Sequence, residues 1–215
     1  MQKFSFSVDE QYARKHNELL RDGSRLIKAA LLAVVLLIGL IFVVDYINLG
    51  GYAVVAKIVL GALAAMNAVL VFVLPRAIGS AEKLYNSYEL CAAMIAEVNP
   101  RDCVLLALVN LSALDTQPPQ WALATRTVTG LGDHTRKIGE KVPAVAVSGR
   151  KDVYAKDAWG EVSPVPITWG TPDREVIARA RAAIPEEQWR VLEENLHRLE
   201  DVQATPRNLL ELELS

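Results

Sequence analysis

Residues 26–46 read LIKAALLAVVLLIGLIFVVDY, and residues 58–74 read IVLGALAAMNAVLVFVL. Between Lys28 and Asp45 there are 16 residues without a charge, and between Lys57 and Pro75 there are 17. A helix needs roughly 20 apolar residues to cross about 30 Å of hydrocarbon, and flanking Leu26, Ile27 and Gly50–Ala56 supply the remainder. A buried helix at the surface of a soluble core carries a polar stripe, and neither run has one. A secretory signal would begin nearer the N-terminus and end at a small-residue cleavage site; here 28 residues precede the run and Asp45-Tyr46-Ile47-Asn48 follows it. The pair is therefore expected to be a retained transmembrane hairpin.

These two runs carry the hydrophobic surplus of a chain of 215 residues with 52% hydrophobic and 22% charged residues and a mean hydropathy of +0.20. That balance excludes a disulfide-rich secreted module, a disordered tail and a nucleic-acid protein selected by bulk charge. Arg14, Lys15, Arg21, Arg25 and Lys28 precede the first span, and Arg76 and Lys83 follow the second. Only Lys57, able to snorkel, lies between them, so both termini are expected on the cytoplasmic side of the plasma membrane. Gly61 and Ala65, and likewise Ala64 and Ala68, are small residues four apart and candidates for close packing of the spans, and Asn67 is a candidate for a hydrogen bond between them. The same spacing suits a homo-oligomer.

Working outward, residues 1–28 read as an amphipathic N-terminal segment with a break at Asp22-Gly23-Ser24, and residues 29–75 as the hairpin. The spacing of Leu84, Tyr88, Cys91 and Ile95 predicts a connecting helix within 76–99. Residues 100–170 read as a small β-rich domain, from the short apolar or alternating runs Cys103–Asn110, Trp121–Thr129, Gly139–Gly149, Val153–Trp159 and Val165–Trp169. Pro143, Pro164 and Pro166 are expected at strand starts or edges. In residues 171–215, Thr171-Pro172-Asp173, with Thr171 as the capping hydroxyl and Pro172 at the first helical position, and Pro185-Glu186-Glu187 each open a helix, followed by an acidic tail. The fold expected is a membrane α-helical hairpin plus an α+β domain, with a small β-barrel or curled antiparallel sheet followed by helices.

The residues that carry chemistry are sparse. Cys91 and Cys103 are too few for a metal set, and His16, His134 and His197 form no paired signature, so neither metal nor cofactor is expected. Asp133-His134 sits in a polar loop, and Ser148 lacks a nucleophile elbow. Arg126, Arg136, Lys137, Lys141, Arg150, Lys151 and Lys156 make the β segment basic, while residues 186–215 are acidic. With Trp121, Trp159 and Trp169 nearby, an oligonucleotide- or anionic-lipid-binding barrel is one alternative, although the tryptophans suit a core better. A membrane enzyme using Asp133, His134 or Cys103 is another.

The stripe Trp189, Leu192, Leu196 and Leu199 is the candidate partner-binding surface. It favours a non-enzymatic accessory or adaptor subunit of a respiratory or cell-envelope assembly, with the bilayer and a protein as its partners. The stretches Thr168-Trp169-Gly170-Thr171-Pro172-Asp173 and Ile184-Pro185-Glu186-Glu187-Gln188-Trp189, behind KIGEKVPAVAVSGR, resemble an uncharacterised family of actinobacterial, mainly corynebacterial, two-span membrane proteins. The resemblance implies a C-terminal cytoplasmic α+β domain and brings no activity or site residues with it.

Overall fold

The computed structural model describes residues 4–47, 50–114, 118–132, 134–149, 151 and 157–212. The chain divides into two compact units, residues 18–80 and the pair of segments 1–17 and 81–215.

The first unit is the hairpin, formed by α2 (Glu18–Ile47) and α3 (Ala53–Ile78) with a short 3-10 turn at Gly50–Tyr52 between them. At 1.5 Å per residue α2 is about 45 Å long. The apolar windows of the two helices are only 11% and 6% buried. Phe42 and Phe72 stand among many exposed large apolar side chains. A core helix would be covered by protein; helices bare of cover and of charge are suited to lipid, and the chain is a membrane protein with two candidate spans. The expected break at 22–24 is absent, since α2 runs through Asp22-Gly23-Ser24 without interruption. Lys57 does not simply snorkel: its Nζ forms an ion pair with Asp45 of α2, so the two charges at the turn end neutralise each other.

The second unit is a six-stranded antiparallel sheet in the order β5-β4-β1-β2-β3-β6. Its strands are β1 (Leu90–Val98), β2 (Cys103–Asn110), β3 (Trp121–Val128), β4 (Lys141–Ser148), β5 (Val162–Pro166) and β6 (Leu209–Glu211). The sheet curls. Arg126 of β3 donates from Nη1 to Ser163 Oγ of β5 at 3.0 Å, although three strands separate them in the sheet. Flat strands about 4.8 Å apart would put that contact out of reach. Small residues make the curl possible. Cys91, Ala93, Ala107, Ala122, Ala124 and Ala144 form one buried cluster with Val109, Leu111 and Val162, and no helix takes part in it.

The larger cluster holds Met94, Leu106, Leu108, Leu123 and Val145 together with residues of α5 (Arg174–Ala183), α6 (Glu186–Glu194) and α7 (Leu199–Gln203). The fold class read from the sequence, a hairpin plus an α+β domain with a curled antiparallel sheet, is the one observed.

Three local expectations are corrected. The connecting helix stops early: α4 spans Ala81–Ser87, and residues 90–98 are strand β1 at the centre of the sheet. Its first six residues are buried, so apolar side chains on both faces produced the spacing that mimics a helix. Pro143 of β4 is not at an edge but is paired with Ala92 of β1. Pairing of β4 with β5 begins only at Ala144, so the missing N–H breaks no ladder bond there. The N-cap of α5 is Asp173, whose carboxylate accepts from Glu175 N–H at 2.8 Å, while Thr171 Oγ1 accepts from Asp173 N–H. Residues 153–156 of one expected strand lie outside the described residues.

The N-terminal segment belongs to the sheet domain. Asp9 caps α1 (Glu10–His16), and Asp9 N–H donates to the Gly170 carbonyl at 3.1 Å. Glu10 Oε2 accepts from Ala81 N–H at the start of α4, 3.1 Å away. Asn17, fully buried, donates to Tyr85 Oη at 3.0 Å, and Tyr85 donates to the Pro166 carbonyl. Phe6 lies against the Tyr85 ring with centroids 5.5 Å apart. Gly170 lets this happen: a Cβ there would stand 2.7 Å from Tyr85 Cε2.

Gly170→Ala is expected to destabilise the domain by about 1–3 kcal/mol through overpacking, read as a lower unfolding temperature of the detergent-solubilised chain. Burial pushes the Tyr85 phenol and the Cys91 thiol above their ordinary ranges. The unfolded chain releases these protons first, near pH 8.5 for Cys and pH 10 for Tyr, so it holds fewer protons than the native state there. Stability is therefore expected to fall as pH rises above about 8.5, by up to about 1.4 kcal/mol per pH unit for each group. Urea midpoints across pH 7–10.5 check this, with Cys91→Ala removing the earlier part of the decline.

Candidate functional site

The residues proposed for partner binding are core. Trp189 and Leu192 are completely covered, Leu199 is buried, and Leu196 is half-buried against the same cluster. The three- and four-residue spacing correctly marks an apolar helix face, but that face is turned to the sheet. Lys141 fixes it there, with Nζ 2.7 Å from Glu186 Oε1 and 5.4 Å above the Trp189 ring. The tail is partly used in the same way. Leu209, Leu210 and Glu211 pair as β6 with Ala124, Leu123 and Ala122.

In the hairpin, Gly61 is half-buried and Ala65 exposed, whereas Ala64 is buried and Ala68 half-buried. Of the two expected pairs, Ala64 and Ala68 are both covered, whereas only Gly61 of the other pair is. Asn67 donates from Nδ2 to the Leu63 carbonyl at 2.9 Å, a bond within its own helix rather than between spans.

The basic residues of the β segment are mostly committed to the fold. Arg126 lies 5.1 Å from the Trp169 ring, and Trp169 donates from Nε1 to the Gly130 carbonyl. Arg136 donates from Nη2 to the carbonyls of Asn99 and Asp102, at 2.7 and 2.8 Å, and from Nε to Cys103 Sγ at 3.3 Å. Lys151 stands over Trp159. Trp169 is buried and Trp159 half-buried, as expected of core tryptophans. Arg150 and Lys156 lie outside the described residues.

Of the alternative catalytic residues, Asp133 lies outside the described residues, and His134 and Cys103 are engaged separately. Cys103 is buried beneath Arg136. His134 places Nδ1 3.4 Å from Glu140 Oε1, and its Nε2 is buried without a hydrogen-bond partner. Among the described residues no three His, Cys, Asp or Glu side chains converge to hold a metal ion.

What the sequence did not single out is the turn end of the sheet. The 137–140 segment is held to β1 by ladder-type bonds, Ile95 N–H to the Glu140 carbonyl and Gly139 N–H to the Ile95 carbonyl. On this ordered loop Ile138 is 59% exposed, and Val98 at the end of β1 is 39% exposed. A lone isoleucine in a polar loop gives no periodic signal, so only the fold reveals it.

Leu192→Ala is expected to cost about 2–5 kcal/mol of stability by leaving a cavity, whereas Ile138→Ser should change it by less than about 0.5 kcal/mol. Thermal unfolding of the two variants side by side separates the core from the surface.

Residues 76–200 match the model of a family described as protein of unknown function (DUF3239). The crystal structure of "a putative membrane protein from Corynebacterium diphtheriae" is similar, with 54% sequence identity and a TM-score of 0.55, over 58% of this chain and 100% of that one. Among curated proteins none matches. The family match extends from the end of α3 through α6 and into α7, more than half of the chain, and the chain belongs to the DUF3239 family.

Proposed function

We propose that the chain is a non-enzymatic adaptor subunit, anchored in the plasma membrane by its hairpin with both termini in the cytoplasm. Its sheet domain would hold a protein partner of a larger membrane assembly. The observation carrying this reading is the exposed apolar corner at Ile138 and Val98, on backbone fixed by hydrogen bonds to β1. An apolar side chain on an ordered loop contributes binding energy without an ordering cost at the moment of contact. The orientation is supported by the Lys and Arg residues flanking the hairpin on its terminal side. The engagement of Cys103 and His134 in separate local contacts supports a binding role over a catalytic one.

A photo-crosslinking residue at position 138 of the full-length protein, expressed in its native membrane, tests the proposal. A reproducible adduct with one protein is expected from position 138 and none from buried position 192. Adducts with lipid alone, or only uncrosslinked monomer, would overturn it.

A further inference from the structure

Helix α3 carries a repeat that the packing of the hairpin does not use. Leu60, Leu63, Asn67, Leu70 and Leu74 stand three and four residues apart in turn, the a/d spacing of a coiled coil. Leu60, Asn67 and Leu74 take the a positions, and Leu63 and Leu70 the d positions. Among the described residues of α3 only Ala64 is buried, so the seam with α2 runs along its side of the helix. At about 100° per residue, the repeat lies about 40–120° round the helix from Ala64. Leu63 and Leu70 are accordingly each 40% exposed.

Asn67 separates this face from an ordinary lipid-facing surface. It lies ten residues after Lys57 and nine before Arg76, about 14–15 Å along the axis from either charge and close to mid-depth in the hydrocarbon. One amide N–H goes to the Leu63 carbonyl, and the side chain makes no other hydrogen bond among the described residues. Helix α2 has nothing to offer it, because residues 29–44 contain no polar side chain. The Oδ1 and the second N–H therefore meet a medium without donors or acceptors, a cost that lipid does not offset.

We propose that α3 pairs with α3 of a second copy of this chain along residues 60–74, as a parallel dimer in which Asn67 bonds to Asn67. Copies inserted under one orientation rule run the same way, so each residue meets its own counterpart at the same depth about a twofold axis. The carboxamide is self-complementary: the Oδ1 of each copy accepts the free N–H of the other. A partner of different sequence would have to carry an amide at that depth, whereas a second copy does so by construction. The leucines supply the packing on either side, and one Asn at an a position specifies register and oligomeric state. Lys57 does not oppose the approach, since Asp45 of its own hairpin neutralises it.

The test uses the full-length protein in phosphatidylcholine vesicles, with donor- and acceptor-labelled copies mixed and energy transfer read as the protein-to-lipid ratio varies. A saturable dimer is expected. Asn67→Leu, which completes the leucine row and removes the amide, is expected to raise the dissociation constant about tenfold, and Asn67→Gln, which keeps an amide, to retain most of the pairing. Oxidation of cysteine variants reads the face directly. Leu63→Cys and Leu70→Cys are expected to give disulfide-linked dimers, and Ala65→Cys and Phe72→Cys, on the far side from the repeat, few. The unaltered chain is the blank, because Cys91 and Cys103 are buried. Monomer at every ratio, pairing untouched by Asn67→Leu, or crosslinking as strong at 72 as at 70 overturns the proposal. So does a photo-crosslinker at position 70 that joins a different protein, and no second copy, in the native membrane. None of these measurements involves position 138, so they stand apart from the crosslink there.

Discussion

The hydrogen-bonded line from Asn17 through Tyr85 to the Pro166 carbonyl is the contact on which the arrangement of this protein depends. Asn17 is the last residue before α2, and Tyr85 lies in the first helix after α3. The chain thus leaves the domain and returns to it at positions joined by a buried polar contact. A buried amide or hydroxyl left unpaired costs about 1–3 kcal/mol, so each member of the line holds the next in place. Gly170 contributes by omission, since its missing side chain is the space that the Tyr85 ring occupies.

The curled sheet solves a second problem, that of edges. The outer edge of β3 is divided: Ala122, Leu123 and Ala124 pair with β6, and farther along Arg126 reaches across to β5. A free edge would invite pairing between copies. The alanine-rich face admits the tight curl, while the opposite side takes the large residues of α5, α6 and α7. The contrast in side-chain volume between the two clusters thus accompanies a division of labour, in which helices cover one side and strands close on the other.

Much of this was legible in the chain. Absence of charge over 29–44 and 58–74 identifies the spans, because no other environment accepts such helices uncovered. Strands β2, β3 and β4 are announced by apolar or β-branched runs between turn residues, and the openings of α5 and α6 by Thr171-Pro172-Asp173 and Pro185, although the capping side chain of α5 is Asp173 rather than Thr171. Strand β1 was hidden because LCAAMIAEV is apolar on both faces, and a continuous apolar run satisfies helical and extended spacing alike. Strand β6 is three residues long and has meaning only beside β3. The Trp189 stripe was read correctly as a face and wrongly as a surface, since periodicity reports amphipathicity and is silent about what covers it. Nothing local in the sequence distinguishes His134 from a loop histidine; that it shares a cleft with α5, which begins 40 residues along the chain, is legible only in the fold.

The sheet domain is discontinuous: its first segment ends at residue 17 and its second begins at residue 81, with the whole hairpin between them. During synthesis Phe6, Asp9 and Asn17 emerge before either span exists, yet their partners Tyr85 and Gly170 are made only after both spans are complete. The N-terminal segment must therefore wait, unpaired, while the hairpin is handed to the membrane. Completion of the domain thereby becomes a record that residues 18–80 have already been made, and the order of translation is written into the folded state.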